Sequence, residues 1–211
     1  MTNAFCPSCG APVKFQWSTA VQTTCPYCRS ILVRHDVNLE LVGKVADLPK
    51  DPSPVQLGTE GIYRGKAFVA IGRIIYEYEL GSWNEWHLVF NDGSSGWLSD
   101  AMLEYAVSFL KPITTEKLPA AHDIERGWTQ IIDNINFEIT TLTRARYRGV
   151  EGELPFEYWG KEYITFADMR SADAHFATID YSEQPPLLFV GEALEFDDLK
   201  LKNLKQFEDW S

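Results

Sequence analysis

Four cysteines carry the clearest chemical signal in this 211-residue sequence. They form two C-x2-C pairs separated by fifteen residues, namely Cys6, Cys9, Cys25 and Cys28. Two residues between paired cysteines let a tight turn direct both thiolates at one ion, and four thiolates complete a tetrahedral shell. The spacing therefore predicts a zinc ribbon with one structural zinc ion, because a catalytic zinc needs an open position for water.

The residues around the cysteines favour the zinc interpretation over two alternatives. Pro7 and Pro26 restrict the two turns, and Gly10 permits a positive φ after the second ligand. The alternatives are a pair of disulfides and a thioredoxin-like redox site. A redox site needs one C-x-x-C in a βαβ setting, which this sequence does not offer.

Histidines and carboxylates give a weaker catalytic signal. The four histidines are scattered among different predicted elements, and His87, near Glu85 and Asp92, is the best acid/base candidate. Alternation along its strand places His87 on the outer face. The sequence also has no phosphate-binding loop, no dinucleotide-binding fingerprint, no H-E-x-x-H and no G-x-S-x-G. We therefore predict a non-enzymatic interaction or regulatory module and assign no catalytic residue. The alternative is an enzyme of unrecognised type that uses His87 with nearby carboxylates.

Tryptophans mark the most plausible binding surface. Three of them lie within fifteen positions, and Trp86 shares a strand face with Leu88 and Phe90, which predicts that Trp86 is core. Trp83 lies closer to a turn. We expect any site for a ligand or partner at Trp83, Asn84, Glu85 and Trp97. Glu153 and Glu157, which flank Pro155, are predicted to belong to the acidic surface.

The net charge differs between the two ends of the chain. The formal net charge is -11, and residues 1–45 carry four basic and two acidic residues, so the remainder has a net charge of -13. Such acidity disfavours nucleic acid as a partner, because phosphate backbones are held by clustered Lys and Arg. We expect a protein partner or a structural role for the ribbon, with Trp17 or Tyr27 as contact candidates.

The hydropathy pattern contains no membrane signal. The chain opens without a basic segment followed by an apolar run, and no apolar stretch approaches the roughly 20 residues that cross a bilayer. We expect a cytoplasmic protein without a transmembrane segment.

The elements that must position these residues are predicted to be strands. Residues 67–80 read as one long strand that bends at Gly72, and residues 84–91 read as a second strand with Trp86 on its apolar face. Asp92-Gly93 is a favoured hairpin pair, and further strands follow near residues 97 and 105–110. A reversal is predicted at residues 149–156. Short strands joined by short turns indicate an antiparallel meander.

The pattern of residues 58–100 recurs later in the chain. Setting Gly58 on Gly127 places Ile62 on Ile131 and Phe68 on Phe137, which predicts an internal duplication. We predict an all-β protein in which a small zinc ribbon precedes a duplicated antiparallel β region, with two related barrel-like or sandwich halves. The predicted parts are the ribbon (1–45), a Pro-rich linker (46–56), a first β unit (57–112), a connector (113–126), a second β unit (127–200), and a C-terminal tail or short helix (201–211).

Three segments resemble a known bacterial family. The W-N-E-W pattern at residues 83–86, the following D-G turn and G-W-L, together with the later GELPF and FATIDY segments, resemble the family called domain of unknown function 4178. The likeness covers roughly residues 56 to 200 and here follows a zinc ribbon. It implies an all-β module and a cellular setting near genes for membrane-stress and polyamine-related proteins. It implies no catalytic residues.

Overall fold

The computed structural model describes residues 4–35, 38–45, 52–112, 118–157 and 163–207. Within these ranges the protein is all-β, as predicted, and contains no α-helix. The strands of the N-terminal part are β1 (Ala4–Phe5), β2 (Pro12–Val13), β3 (Gln22–Thr24), β4 (Ser30–His35) and β5 (Asn38–Lys44). The next five are β6 (Glu60–Tyr63), β7 (Lys66–Tyr78), β8 (Gly81–Phe90), β9 (Ser95–Ala101) and β10 (Glu104–Lys111). The last five are β11 (Thr129–Ile132), β12 (Ile135–Leu154), β13 (Ile164–Arg170), β14 (His175–Asp180) and β15 (Leu187–Leu194).

Eight of these strands form an antiparallel sheet that closes on itself. Their order around the ring is β7, β8, β9, β10, β15, β14, β13 and β12, and β12 pairs again with β7. We call this ring the closed sheet. Eight strands enclose an interior that side chains can fill or that can hold one small ligand. No helix in the described ranges has the length and apolar character needed to cross a lipid bilayer.

Each half of the β region contributes four strands to this one ring. The structure therefore replaces the predicted pair of barrel-like halves with a single sheet that joins them through the β7–β12 and β10–β15 pairings. Each half also starts with a similar hairpin. The amide of Gly58 donates to the Ala70 carbonyl at 2.8 Å, and the amide of Gly127 donates to the Ile139 carbonyl at 2.8 Å. The internal duplication itself stays a prediction.

Side chains alternate between the interior of the closed sheet and two outer cores. The interior holds Ile74, Tyr76 and Phe166, which are all buried. One outer core contains Trp86, Leu88 and Phe90, and the other lies over β12 to β15. Trp86 is 1% exposed, which confirms that it is a core residue. Alternation along β8 therefore sends Trp86 outward and its odd-numbered neighbours inward.

Glycines shape the two longest strands. The β7–β8 pairing is irregular between Ala70 and Gly72. This irregularity lies where the sequence predicted a bend, at Gly72. The reversal predicted at residues 149–156 is wrong, since β12 continues to Leu154. Gly152 has a φ of 66°, and a Cβ there would lie 2.1 Å from the Ile71 carbonyl oxygen. This glycine therefore permits a close strand approach instead of a turn.

The N-terminal ribbon is joined to the closed sheet by more than a linker. Strand β3 pairs with the end of β12, and Ile31 and Val45 belong to the same buried cluster as Ile74. Part of the predicted linker, residues 46–51, lies outside the described residues. The remainder packs on the closed sheet, because Val55 is fully buried and Ser53 donates a hydrogen bond to Asp100.

The C-terminal segment runs across the surface of the closed sheet. A short 3-10 helix spans Phe196–Leu199. Residues 201–207 after it contain no helix, so they agree with the predicted tail and not with the predicted short helix. The amide of Lys202 donates to the Glu60 carbonyl at 2.8 Å, and Leu199 is fully buried in the outer core with Trp86. Residues 208–211 lie outside the described residues.

Candidate functional site

Two short hairpins bring the four cysteines together. Cys6 and Cys9 lie between β1 and β2, and Cys25 and Cys28 lie between β3 and β4. In each turn a backbone amide returns to the first cysteine: Gly10 donates to the Cys6 carbonyl at 2.8 Å, and Arg29 donates to the Cys25 carbonyl at 2.9 Å. Gly10 has the positive φ predicted for it, 72°, and Arg29 has 61°.

The sulfur positions suit one metal ion. All four Sγ atoms lie within 4.8 Å of one another, with 3.7 Å between Cys6 and Cys28 and 3.8 Å between Cys9 and Cys25. Sulfurs that are about 2.3 Å from a central zinc in a tetrahedron are about 3.8 Å apart. Hydrogen bonding with Ser30 lowers the pKa of the Cys28 thiol to about 6.

A buried carboxylate fastens the ribbon to the closed sheet. Glu153, at the end of β12, is 3% exposed and accepts hydrogen bonds from the amides of Gln16 and Trp17 at 2.7 and 2.9 Å. Burial raises the pKa of Glu153, and the two amides oppose this shift. The prediction that Glu153 belongs to the acidic surface is therefore wrong. Glu157 is partly buried and lines the interior cavity described below.

His87 lies at the junction of the ribbon and the closed sheet. It is fully buried, its ring lies 4.9 Å from that of Trp17 and 5.2 Å from that of Trp97, and its Nδ1 is 3.0 Å from the Glu153 carbonyl oxygen. Burial lowers the pKa of His87 to about 4. The imidazole is therefore neutral at physiological pH. It faces inward, so the prediction that His87 lies on the outer face is wrong.

The interior of the closed sheet contains a cavity of about 720 Å³. It reaches the surface beside Leu80 and Met102, which are 85% and 84% exposed. This volume lies in the range of about 300 to 1,000 Å³ that is typical of small-molecule sites.

Three of the four residues predicted for a ligand or partner surface line this cavity. Trp83, Glu85 and Trp97 face the interior, whereas Asn84 faces the other way and accepts hydrogen bonds from the Arg73 guanidinium at 2.7 and 3.0 Å. Glu85 accepts hydrogen bonds from the Ser99 hydroxyl at 2.8 Å and from the Trp83 indole at 3.0 Å. Burial raises the pKa of Glu85 to about 8. The hydrogen bonds oppose that shift.

The second half of the β region adds two further carboxyl groups. Asp168 on β13 and Asp180 on β14 line the same cavity as Glu85. Burial raises the pKa of Asp168, and the charges of Asp168 and Asp180 contribute to the raised pKa of Glu85. These three groups therefore share one electrostatic environment.

Four aromatic rings form a cluster beside Glu85, whose carboxylate accepts a hydrogen bond from the Trp83 indole. Tyr76 stacks on Trp83 at 4.9 Å between ring centroids, and its ring lies 4.9 Å from that of Phe166 and 4.8 Å from that of Tyr147. Trp83 and Phe166 meet edge to face at 5.6 Å. Since Tyr76 and Trp83 come from the first half and the other two rings from the second, the closure of the sheet builds this cluster.

A family model for a domain of unknown function (DUF4178) matches residues 56–196. The chain belongs to this family. Comparison with curated proteins and with solved structures gives no match. The DUF4178 match contains all strands from β6 to β15, so the DUF4178 domain includes the whole closed sheet with its cavity. The ribbon lies before it.

Sequence reasoning missed the residues that the second half of the DUF4178 domain supplies. Alternation along β13 carries a usable signal, because Phe166 and Asp168 share a face while Ala167 and Met169 occupy the buried opposite face. A strand with apolar residues on one face and a carboxyl beside an aromatic ring on the other predicts a polar interior. The same alternation places Asn84 on the opposite face of β8 from Glu85 and Trp83, so it excludes Asn84 from the interior.

Proposed function

We propose that this protein is a zinc-containing, non-enzymatic binding module whose ligand site is the cavity inside the closed sheet. The observation that carries the proposal is the cavity of about 720 Å³, whose described lining combines ten aromatic side chains with six carboxyl groups and several hydroxyl groups. Concave sites of about 300 to 1,000 Å³ with aromatic walls and placed polar groups are typical of small-molecule binding. The lining residues Trp83, Glu85 and Trp97 were expected at a site on other grounds.

The position of His87 supports binding over catalysis. A general base must reach the proton it removes, yet the His87 imidazole is enclosed by Trp17, Trp97 and the Glu153 backbone. Its lowered pKa, about 4, also removes it from the range in which histidine exchanges protons near neutrality. The alternative, an enzyme that uses His87, receives no support from this arrangement.

We assign the ribbon a structural zinc ion and a bracing role. Four thiolates leave no open position on a tetrahedral ion, so zinc there stabilises the two hairpins and supplies no reactive water. The ribbon also contributes Ile31 and Val45 to the interior core. Tyr27, which is 69% exposed, is the contact candidate that a cytoplasmic protein partner would meet.

We also infer that the cavity arose from a duplicated unit. Both initial hairpins turn through two residues with positive φ: Arg64 and Gly65 at 47° and 77°, and Asp133 and Asn134 at 50° and 64°. When Gly58 is set on Gly127, β6 and β11 correspond residue for residue, and β7 and β12 begin at corresponding residues. A two-fold arrangement of such units gives one cavity with residues from both.

Filling the cavity is expected to abolish binding of a neutral apolar probe. N-phenyl-1-naphthylamine fluoresces in apolar surroundings, and titration with the native protein should give a saturable signal. Ala106 is 4% exposed and lines the cavity, so Ala106→Trp places an indole in the space that the probe needs. We expect its affinity to fall by about tenfold or more, equivalent to about 1.4 kcal/mol.

Two further variants make this result interpretable. Ala172→Trp introduces the same side chain at an exposed turn and should bind like the native protein. Ala101→Trp, at another lining position, replaces Ala106→Trp if thermal unfolding shows that the first variant is misfolded. Equal probe binding by the native protein and by a folded cavity variant would contradict the proposed function.

A further inference from the structure

We propose that the cavity selects an organic cation, in which an ammonium group is attached to an apolar body. This inference rests on the proposed function and names its ligand class. It combines two properties of the cavity that come from different residues: carboxyl groups and aromatic rings both line it. A cation with an apolar body satisfies both at once, since its charge meets the carboxylates and its body replaces water against the rings.

The charge of the lining has one predominant sign. Six acidic residues and one basic residue are found among the described lining residues. The acidic residues are Glu85, Glu104, Glu157, Asp168, Asp180 and Glu183. The basic residue, Arg170, has its guanidinium 4.9 Å from the centre of the Phe176 ring and 3.5 Å from Glu104, which is largely exposed. Arg170 therefore pairs at the rim, and its charge also favours the ionised form of Asp168, but it is not among the groups that shift the pKa of Glu85.

The Glu85 carboxylate accepts hydrogen bonds from two uncharged donors. The Ser99 hydroxyl and the Trp83 indole fix its orientation, at 2.8 and 3.0 Å, without supplying a positive charge. Burial and the charges of Asp168 and Asp180 disfavour its ionised form, so its pKa is raised to about 8. A bound ammonium group relieves both costs, because it brings a compensating charge into the same enclosed space.

The rings beside Glu85 give the cavity an aromatic wall. Tyr76, Trp83, Tyr147 and Phe166 form a continuous cluster with centroids 4.8 to 5.6 Å apart. A cation within about 6 Å of such a ring is attracted by its quadrupole, and the attraction is larger where water is excluded. An anionic head group would face the carboxylates of the lining. Octanoate is therefore the ligand that this lining should reject.

Calorimetric titration with three ligands of equal chain length tests the charge preference. Octylammonium, 1-octanol and octanoate differ in head-group charge, and at about pH 8.5 the ammonium group is protonated while much of Glu85 is ionised. We expect octylammonium to bind about tenfold or more tightly than 1-octanol, and octanoate to bind most weakly. Lowering the pH to about 6 protonates Glu85 and the affinity for octylammonium should fall, whereas that for 1-octanol should not.

Matched variants assign the effect to the interior carboxyl groups. Glu85→Gln should lower the affinity for octylammonium about tenfold, reduce its pH dependence and leave 1-octanol binding in place. Glu79→Gln removes an equal charge from an exposed turn and should behave like the native protein. Asp168→Asn provides a second interior variant if Glu85→Gln does not fold.

The possible outcomes separate this inference from the proposed function. Equal binding of 1-octanol and octylammonium, or tighter binding of octanoate, would overturn the choice of a cation while leaving a ligand cavity. Binding of none of the three, together with no binding of N-phenyl-1-naphthylamine, would overturn both. Tighter octylammonium binding that Glu85→Gln and Asp168→Asn both leave unchanged would place the cation outside the cavity and overturn this inference.

Discussion

Removal of the metal will unfold the ribbon while the closed sheet stays folded. The hairpins around the cysteines consist of strands of two to six residues and cannot bury a large core by themselves. Structural zinc contributes about 10 to 16 kcal/mol to the folding of zinc-finger peptides, and we expect a contribution of this kind here. The closed sheet has two outer cores and supplies most of the interior core, so we expect it to keep its fold when the ribbon residues Ile31 and Val45 leave that core.

Amide hydrogen exchange measures this difference segment by segment. The amides of Gly10 and Arg29, which close the two cysteine turns, should lose their protection when a chelator removes the metal. Amides in the β7–β8 pairing should keep theirs. Cys9→Ser should reproduce the effect of the chelator, since Cys9 is an exposed ligand whose replacement leaves no cavity. Ser8→Ala, one position away, is the control that keeps all four thiols. Protected cysteine turns in metal-free protein would contradict the assignment of a structural metal.

Replacing Trp86 with alanine should lower the free energy of unfolding by about 3 to 5 kcal/mol. The side chain is 1% exposed in the outer core with Leu88, and the Arg73 guanidinium lies 4.8 Å from the centre of its ring. The substitution therefore leaves a large void and removes the aromatic face over which this cation lies. Denaturant unfolding followed by circular dichroism measures the change.

The control for Trp86→Ala is the replacement of an aromatic residue that lies largely exposed on the surface. Tyr27→Ala removes a ring that is 69% exposed, and its effect should stay within about 0.5 kcal/mol. A loss of less than about 1 kcal/mol for Trp86→Ala would show that the outer core contributes little to the stability of the closed sheet.

Local patterns were sufficient to predict the strands and the metal ligands. Cysteine spacing identified four side chains whose sulfurs the structure brings within 4.8 Å. The alternation of Trp86, Leu88 and Phe90 identified a buried face, and Gly72 marked the bend in β7. These features depend on residues that are close in sequence, so periodicity and turn chemistry report them directly.

Closure of the sheet could not be predicted in this way. It depends on the β10–β15 and β7–β12 pairings, whose partners are about 70 to 90 residues apart, and a strand's own sequence does not specify its neighbour. Glycines 149 and 152 resemble turn residues for the same reason. Gly152 lets β12 approach β7 closely, and Gly149 lies at an irregularity in the β7–β12 pairing; only the neighbouring strand reveals either feature.

Only part of the candidate site was predicted from the sequence, because both halves of the β region supply its residues. Trp83, Glu85 and Trp97 lie in the segment with the strongest local pattern, and the prediction included them. Asp168 and Asp180 become part of the site only when β13 and β14 close the ring opposite β8. The pKa of Glu85 likewise depends on these distant carboxyl groups, which the sequence does not place.

A crystal structure with 8-bromooctan-1-ol, using the anomalous signal of bromine, tests most directly whether the cavity is a ligand site. The account predicts a bromine peak inside the closed sheet, in contact with residues such as Trp83 and Phe166. The neutral head group makes this test independent of the preference for cations. A peak found only outside the closed sheet, or an empty cavity at a saturating concentration of the alcohol, would contradict the account.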